Sequence, residues 1–93
     1  MKRVKPTKFP DNPELRSAEQ LGLSIRAMRT KSEMSLEDAA MTLGMSKQTL
    51  SDIELGKSTV SIGNTLKAAS GLGVALFIFP SEMRELIKLK LEN

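Results

Sequence analysis

The sequence predicts a mainly α-helical domain of four to five helices, with one β-strand near its C-terminal end. Three observations support this fold class. Apolar residues recur at intervals of three and four over most of the chain, which is the spacing of one helix face. One apolar run, residues 73–79, lacks that spacing and stops at Pro80, as a strand does. Serines that can accept the free N–H groups at a helix start precede several periodic stretches, namely Ser17, Ser35, Ser46 and Ser81.

Residues 1–16 precede the domain, and we expect them to form a flexible arm. Pro6, Pro10 and Pro13 interrupt any regular element there. The arm holds five basic and two acidic side chains, whereas residues 17–58 hold five basic and six acidic ones, so the net charge of +3 is concentrated in the arm. Such an arm can follow the minor groove or the phosphates of DNA, and the alternative is a terminus that only increases solubility. Its candidate contact residues are Lys2, Arg3, Lys5 and Lys8.

The first helix is predicted from residue 17 to about residue 31. Ser17 can cap it in a Ser-x-x-Gln box with Gln20. Leu21, Ile25 and Met28 then form an apolar stripe. This helix should be the scaffold on which the next two helices pack.

The chain from Ser35 to Gly56 predicts two short helices joined by one glycine. Ser35 can cap the first helix, with Asp38 three residues later in near capping-box form. Gly44 ends that helix because glycine tolerates the positive φ of a sharp turn, and Ser46 can cap the second helix. Leu50 and Ile53 of the second helix can pack on the apolar face of the first, which consists of Leu36, Ala39, Ala40 and Leu43.

Two more helices are predicted towards the C-terminal end. One runs from about residue 61 to residue 70, burying Ile62, Leu66 and Ala69, with Gly71 and Gly73 as its end. The other lies in the tail, residues 81–93, and begins with Ser81 as its cap. Its apolar face consists of Met83, Leu86, Ile87 and either Lys90 or Leu91.

The predicted strand, residues 73–79, has no partner elsewhere in this helical chain. Unpaired backbone groups are costly and invite pairing with another chain. The simplest partner is the same strand of a second copy, running antiparallel across a two-fold axis. The sequence therefore predicts a homodimer, with an interface formed by Val74, Ala75, Leu76, Phe77, Ile78 and Phe79.

A polar helix that follows a short helix and a tight turn is typical of proteins that place its first turn in the major groove of DNA. There Gln48 can bind the N6/N7 edge of adenine, and Lys47 favours guanine. The alternative is a solvated helix start without a ligand. Asp52 is expected to repel phosphate or to select cytosine, with a neutral surface role as the alternative. The candidate DNA-binding residues are Ser46, Lys47, Gln48, Thr49, Ser51, Asp52 and Lys57.

These motifs resemble the helix-turn-helix domain of the Cro/lambda-repressor-like (Xre) family over about residues 17–79. The resemblance implies that family's fold for residues 17–80, a DNA-reading motif at 36–55, and transcription regulation as the activity. Leu36 departs from the family, which often has a phosphate-contacting Gln at this position, so no phosphate contact is implied there. The most specific elements are Ala39, Ala40 and Gly44, the run Ser46-Lys47-Gln48-Thr49-Leu50-Ser51, the ending Ile53, Glu54 and Gly56, and the following VSIGNTLKAASGLGVAL.

Composition excludes several classes of function. The chain has no Cys, His, Tyr or Trp, so a disulfide scaffold and the usual zinc ligands are missing. The same absences remove most catalytic nucleophiles and bases, so we expect neither an enzyme nor a cofactor or metal. No apolar run reaches transmembrane length, and we expect a cytoplasmic, nucleoid-associated protein without a membrane partner.

Two functions follow as hypotheses. The first is a homodimeric repressor that binds double-stranded DNA at a palindromic operator and regulates its own expression. The second is an antitoxin that chiefly binds and neutralises a toxin, with DNA binding for autoregulation of the operon. Its basis is that the small size, the strand after the fourth helix and the short tail resemble antitoxins of HipA-type kinase toxins. A kinase-like toxin in the neighbouring reading frame would favour the second hypothesis.

Overall fold

A computed structural model describes residues 4–92 and confirms the mainly α-helical fold, with five α-helices and one short 3₁₀ turn in this part of the chain. Around the core lie α1 (Ala18–Lys31), α2 (Leu36–Leu43), α3 (Lys47–Glu54) and α4 (Ile62–Leu72). The 3₁₀ turn Ser81–Met83 leads into α5 (Arg84–Glu92).

The first four helices all begin with a serine in extended conformation, whose hydroxyl accepts an N–H from the first turn. The predicted caps at Ser17, Ser35 and Ser46 are confirmed, and Ser61 is a fourth. Ser81 is not a cap, contrary to the prediction. It lies inside the 3₁₀ turn, which makes no side-chain capping bond, and the α-helix begins only three residues later.

The core is aliphatic and lies between the first four helices. Ile25 of α1 and Leu50 of α3 are the largest fully buried side chains. Small side chains on α2 and α4 let the helices approach closely, because a short side chain keeps the facing backbones near each other. The buried cluster consists of Leu21, Ile25, Ala39, Ala40, Leu43, Leu50, Ile53, Ala68, Ala69, Leu72 and Val74.

The buried face of α4 differs from the predicted one. Ile62 is 74% exposed and Leu66 is 48% exposed, whereas Ala68, Ala69 and Leu72 are buried. The helix also continues through Gly71, which was predicted to end it, and stops at Gly73 with φ +89. A Cβ at Gly71 would meet the side chain of Leu43, so this glycine permits close packing of α4 on α2.

The predicted strand over 73–79 is wrong for the single chain. Residues 74–80 form neither helix nor strand, and no strand lies anywhere in residues 4–92. The physical reason is that a strand needs a second backbone beside it, and the described part of this chain offers none. Val74 belongs to the core, while Phe77 and Ile78 are 79% and 96% exposed.

Residues 4–16 have no regular secondary structure, and several of them are bound to α1 and α5. The Thr7 N–H donates to Thr30 Oγ1 at 2.9 Å. The Gln20 side-chain amide donates to the carbonyls of Asn12 and Glu14 at 2.8 and 2.7 Å. The Glu14 carboxylate lies 3.2 Å from Arg84 and 3.1 Å from Lys88 of α5. One residue thus joins the two ends of the described chain.

Candidate nucleic-acid interface

The first turn of α3 is ordered by its own cap. Ser46 Oγ accepts the N–H of Thr49 at 3.0 Å and donates to Thr49 Oγ1 at 2.8 Å. On the opposite side of the helix, Leu50 and Ile53 are 0% and 2% exposed in the core. The cap and the buried face together fix the helix, and they leave the side chains of the first turn facing solvent.

The angle between α2 and α3 depends on Gly44. This residue has φ +69 and ψ +35, a left-handed conformation that strains any residue with a Cβ. Its N–H donates to the carbonyl of Met41 at 3.1 Å, and the next N–H, of Met45, donates to that of Ala40 at 3.0 Å. The turn ends α2 and starts α3 within three residues, as predicted from the sequence.

A buried ion pair fixes the C-terminal end of α3 against α1. Arg29 Nε and Nη2 donate to the two carboxylate oxygens of Glu54 at 2.7 and 3.0 Å, and both side chains are less than 10% exposed. Arg29 Nη1 also donates to the carbonyl of Met34 at 2.8 Å. Sequence reasoning did not identify this pair. The available signal was the position of Arg29, four residues after Ile25 on the apolar stripe of the first helix.

Two glycines allow this close contact between α3 and α1. A Cβ at Gly22 would collide with the carbonyl oxygens of Ile53 and Glu54. Gly56, with φ +74, lies against the backbone of Glu19, where a Cβ would come within 2.6 Å. The end of α3 therefore rests directly on the backbone of α1, and the helix has little freedom to tilt.

Gln48, Asp52 and Lys57 form a polar cluster on the exposed side of α3. The Gln48 amide nitrogen Nε2 donates to Asp52 Oδ1 at 2.8 Å, and Lys57 Nζ lies 3.1 Å from the same oxygen. The hydrogen bond from Gln48, followed by the hydrogen bond and charge of Lys57, holds the pKa of the Asp52 carboxyl below its ordinary value. The Asp52 carboxyl is therefore ionised at neutral pH.

The predicted DNA-binding residues lie around the first turn of α3. Ser46, Lys47 and Gln48 are exposed, Thr49, Ser51 and Asp52 are half-buried, and Lys57 is exposed in the loop after α3. The arm residues Lys5 and Lys8 are exposed on the N-terminal segment, where Lys8 pairs with Asp11 at 3.4 Å. Lys2 and Arg3 lie outside the described residues.

The predicted dimer residues other than Val74, which belongs to the core, form an exposed apolar surface after α4. Ala75 through Phe79 are all exposed, and the rings of Phe77 and Phe79 stack with centroids 6.5 Å apart. An open groove of about 580 Å³ lies between this segment and α4. It is lined by Leu66, Ala69, Ser70, Gly73, Val74, Ala75 and Leu76.

Residues 4–92 contain no group of three or more acidic side chains arranged to hold a metal ion. No helix among the same residues is both long enough and apolar enough to cross a membrane.

The sequence and the fold of this chain resemble those of known proteins. The helix-turn-helix family matches residues 25–79, which is more than half of the chain. The sequence matches none of the curated proteins. It does resemble several solved structures in fold.

HipB is present in three of these structures. A chain in the HipA-HipB-O2-O3 complex aligns with a TM-score of 0.66 at 16% identity, over 75% of this chain and 99% of that one. A chain in the HipB-O4 20mer complex gives the same values. The hypothetical transcription factor NHTF from Neisseria aligns with a TM-score of 0.56 at 27% identity, over 88% of this chain and 94% of that one.

Proposed function

The chain belongs to the helix-turn-helix family, which is a DNA-binding and not an enzymatic one, and on this premise we propose that it is a sequence-specific transcriptional repressor. It acts as a homodimer on a palindromic operator and regulates its own operon. This role implies a cytoplasmic protein associated with the nucleoid. HipB shares this fold. Its solved structures include a complex with O2 and O3 and a complex with an O4 20mer.

The proposal rests chiefly on the exposure of the first turn of α3. Its polar side chains are exposed, while the rest of the helix is fixed by the core, by Gly44 and by the pair Arg29–Glu54. A rigid helix with an exposed polar N-terminal turn fits the major groove of B-DNA, where it can contact base edges. We assign base contacts to Lys47, Gln48, Thr49 and Ser51, and phosphate contacts to Ser46 and Lys57. Asp52 supports these contacts from its position beside Gln48.

Non-specific affinity for DNA has to come largely from residues outside the helix-turn-helix motif. Residues 17–58 carry five basic and six acidic side chains, whereas residues 1–16 carry five and two. Phosphate attraction depends on such positive charge and weakens as salt rises. We therefore assign additional phosphate or minor-groove contacts to Lys2, Arg3, Lys5 and Lys8.

The homodimer is supported by the exposed segment after α4. Ile78 is 96% exposed and Phe77 79% exposed, an arrangement that is costly for large apolar side chains in water. Antiparallel pairing with the same segment of a second copy would form the strand that the single chain lacks, and would cover this surface. Leu66 of α4 lines the same groove and supplies further apolar area. A two-fold axis places two α3 helices on half-sites about one DNA turn apart.

The deciding experiment is footprinting of the full chain on the DNA upstream of its own gene, across a salt series. We expect protection of a palindrome, with affinity that falls steeply as salt rises while the preference over random DNA persists. Protection that is uniform along the DNA at every salt concentration would contradict the proposed function.

A second candidate function is toxin binding, as in an antitoxin. The observation that favours it is the apolar surface of α5, where Leu86, Leu89 and Leu91 are 51%, 59% and 61% exposed. HipB, which has this fold, is named in a complex with HipA. The test is co-purification with the product of the neighbouring reading frame. A stable complex that includes a kinase-like protein would support this function, and a neighbour that does not bind would exclude it.

A further inference from the structure

We propose that Asp52 is a positioning residue that fixes the orientation of the Gln48 amide, so that Gln48 reads adenine in the major groove. The inference rests on the proposed DNA-binding function. It goes beyond that function by naming the neighbouring side chain that fixes the Gln48 amide and thereby sets its preference for adenine over guanine.

The two side chains lie one helical turn apart on the same face of α3. Gln48 Nε2 donates to Asp52 Oδ1 at 2.8 Å. An ionised carboxylate can only accept hydrogen bonds, so the amide nitrogen and not the amide oxygen has to face it. The reversed amide would place its oxygen against a charged oxygen. The carboxylate therefore selects one of the two amide orientations.

This orientation leaves Gln48 with one free acceptor and one free donor. The amide oxygen accepts no hydrogen bond from residues 4–92, and the nitrogen keeps its second hydrogen. Adenine offers the matching pair in the major groove, the N6 donor and the N7 acceptor. Guanine offers two acceptors, O6 and N7. The fixed amide oxygen would lie against O6, and no hydrogen would be available to join these two acceptors. Adenine is thus favoured over guanine.

Lys57 keeps the carboxylate compatible with DNA. Its Nζ lies 3.1 Å from Asp52 Oδ1, the oxygen that also holds Gln48. A lone carboxylate on the reading helix would repel the phosphates, and the adjacent ammonium group offsets that charge. The Asp52 side chain is only 21% exposed, and both Gln48 and Lys57 contact its Oδ1. The three residues therefore act as one preformed group.

The experiment is selection of bound sequences from a randomised duplex pool by the full-length chain and by variants. The wild-type protein should select adenine at one position of each half-site, and Gln48→Ala should lose that preference. Asparagine can donate as well as accept, so Asp52→Asn allows both amide orientations. We expect this variant to reduce the adenine-to-guanine ratio at that position by about tenfold, with the other positions and the melting temperature unchanged.

Two further variants complete the design. Asp52→Ala removes the acceptor and should change the ratio in the same direction. Glu85→Gln, at an exposed site on α5, makes the same change in charge and should leave every position unaltered. An unchanged ratio in both Asp52 variants, or a wild-type preference for another base at the Gln48-dependent position, would overturn the inference alone. Failure of the wild-type chain to select any sequence would overturn the proposed function as well.

Discussion

Arg29 connects three parts of the fold through one guanidinium group. It binds both carboxylate oxygens of Glu54 at the end of α3 and the carbonyl of Met34 between α1 and α2. Such buried pairs are weak evidence for net stability, because removing two charges from water is costly. Removing one partner is strongly destabilising, because the other charge then stays buried without an opposite charge beside it. The pair therefore serves chiefly to fix where α3 lies.

We expect Arg29→Met to lower the free energy of unfolding by about 3–5 kcal/mol, because Glu54 would remain buried and unpaired. Urea or thermal unfolding followed by circular dichroism measures this loss. Arg26→Met is the matched control, since Arg26 is exposed on the same helix and should change stability by no more than about 0.5 kcal/mol. The double variant Arg29→Met/Glu54→Met should be more stable than Arg29→Met. Equal losses at Arg26 and Arg29 would contradict the assigned role.

The close packing of α1 against α3 depends on glycine, which has no side chain. Gly22 of α1 faces the carbonyls of Ile53 and Glu54, whereas an added Cβ at Gly63 of α4 meets nothing within 4 Å. The two glycines are both helical, so they form a natural comparison. One is required by packing against a backbone, and the other costs helix propensity without a packing reason.

Gly22→Ala should therefore destabilise the domain by about 1–3 kcal/mol, because neither the backbone of α1 nor that of α3 can easily move. Gly63→Ala should stabilise it by about 0.5 kcal/mol through lower chain entropy in the unfolded state. Parallel thermal melts of the two variants test both signs. A stabilising Gly22→Ala would show that α1 and α3 are not in the close contact described.

The last helix is held to the N-terminal segment through charge. Arg84 and Lys88 flank the Glu14 carboxylate, and the hydrogen bond from Lys88 with the surrounding cations lowers the pKa of Glu14 below its ordinary value of 4.5. A carboxyl whose pKa is lowered by folding stabilises the fold above that ordinary value. This contribution disappears as pH falls through the lowered pKa.

We expect α5 to detach from the N-terminal segment in acid, below about pH 4.5, while the core helices persist. Hydrogen exchange of α5 amides measured against those of α1 would detect this difference. Glu14→Gln should give the same increase in α5 exchange at neutral pH, and high salt should do so partly. Acid exchange that rises equally in both helices would argue against the Glu14 contact.

The sequence predicts those features of the helices that depend on neighbours along the chain. Caps at Ser17, Ser35 and Ser46 and the turn at Gly44 follow from local hydrogen bonding and backbone sterics, and all are present. The buried face of α4 was not predictable in this way, because Gly71 acts through contact with Leu43 of another helix. The cluster of Gln48, Asp52 and Lys57 also joins a helix to a loop. Only the i, i+4 spacing of Gln48 and Asp52 can be recognised in the sequence.

At the scale of the whole molecule, the described chain is elongated, with extents of 45 × 26 × 17 Å. Its large exposed apolar side chains include Leu66, which lines the groove beside α4, and Phe77 and Ile78 of the segment after α4. A second copy is the occupant that the sequence predicts for this surface, since only another extended backbone can pair with residues 74–79.

Ile78→Lys should shift the protein from dimer to monomer, because lysine on an open strand edge opposes pairing. Light scattering after size exclusion measures the mass against the 10.2 kDa of one chain. Leu89→Lys on α5 is the control and should remain dimeric, as Leu89 is also exposed but lies outside the paired segment. Affinity for the palindrome should fall with the dimer in the first variant. A wild-type protein that is monomeric at all concentrations would exclude the assembly.

The contact at Glu14 makes the anchoring of α5 independent of the anchoring of α3. The ion pairs that hold α5 come from one residue of the N-terminal segment, whereas the ion pair that holds α3 comes from α1. Substitutions at the chain ends therefore leave the anchoring of α3 in place. A change at Glu14 should therefore release α5 from the N-terminal segment and leave the position of α3 on α1 unchanged.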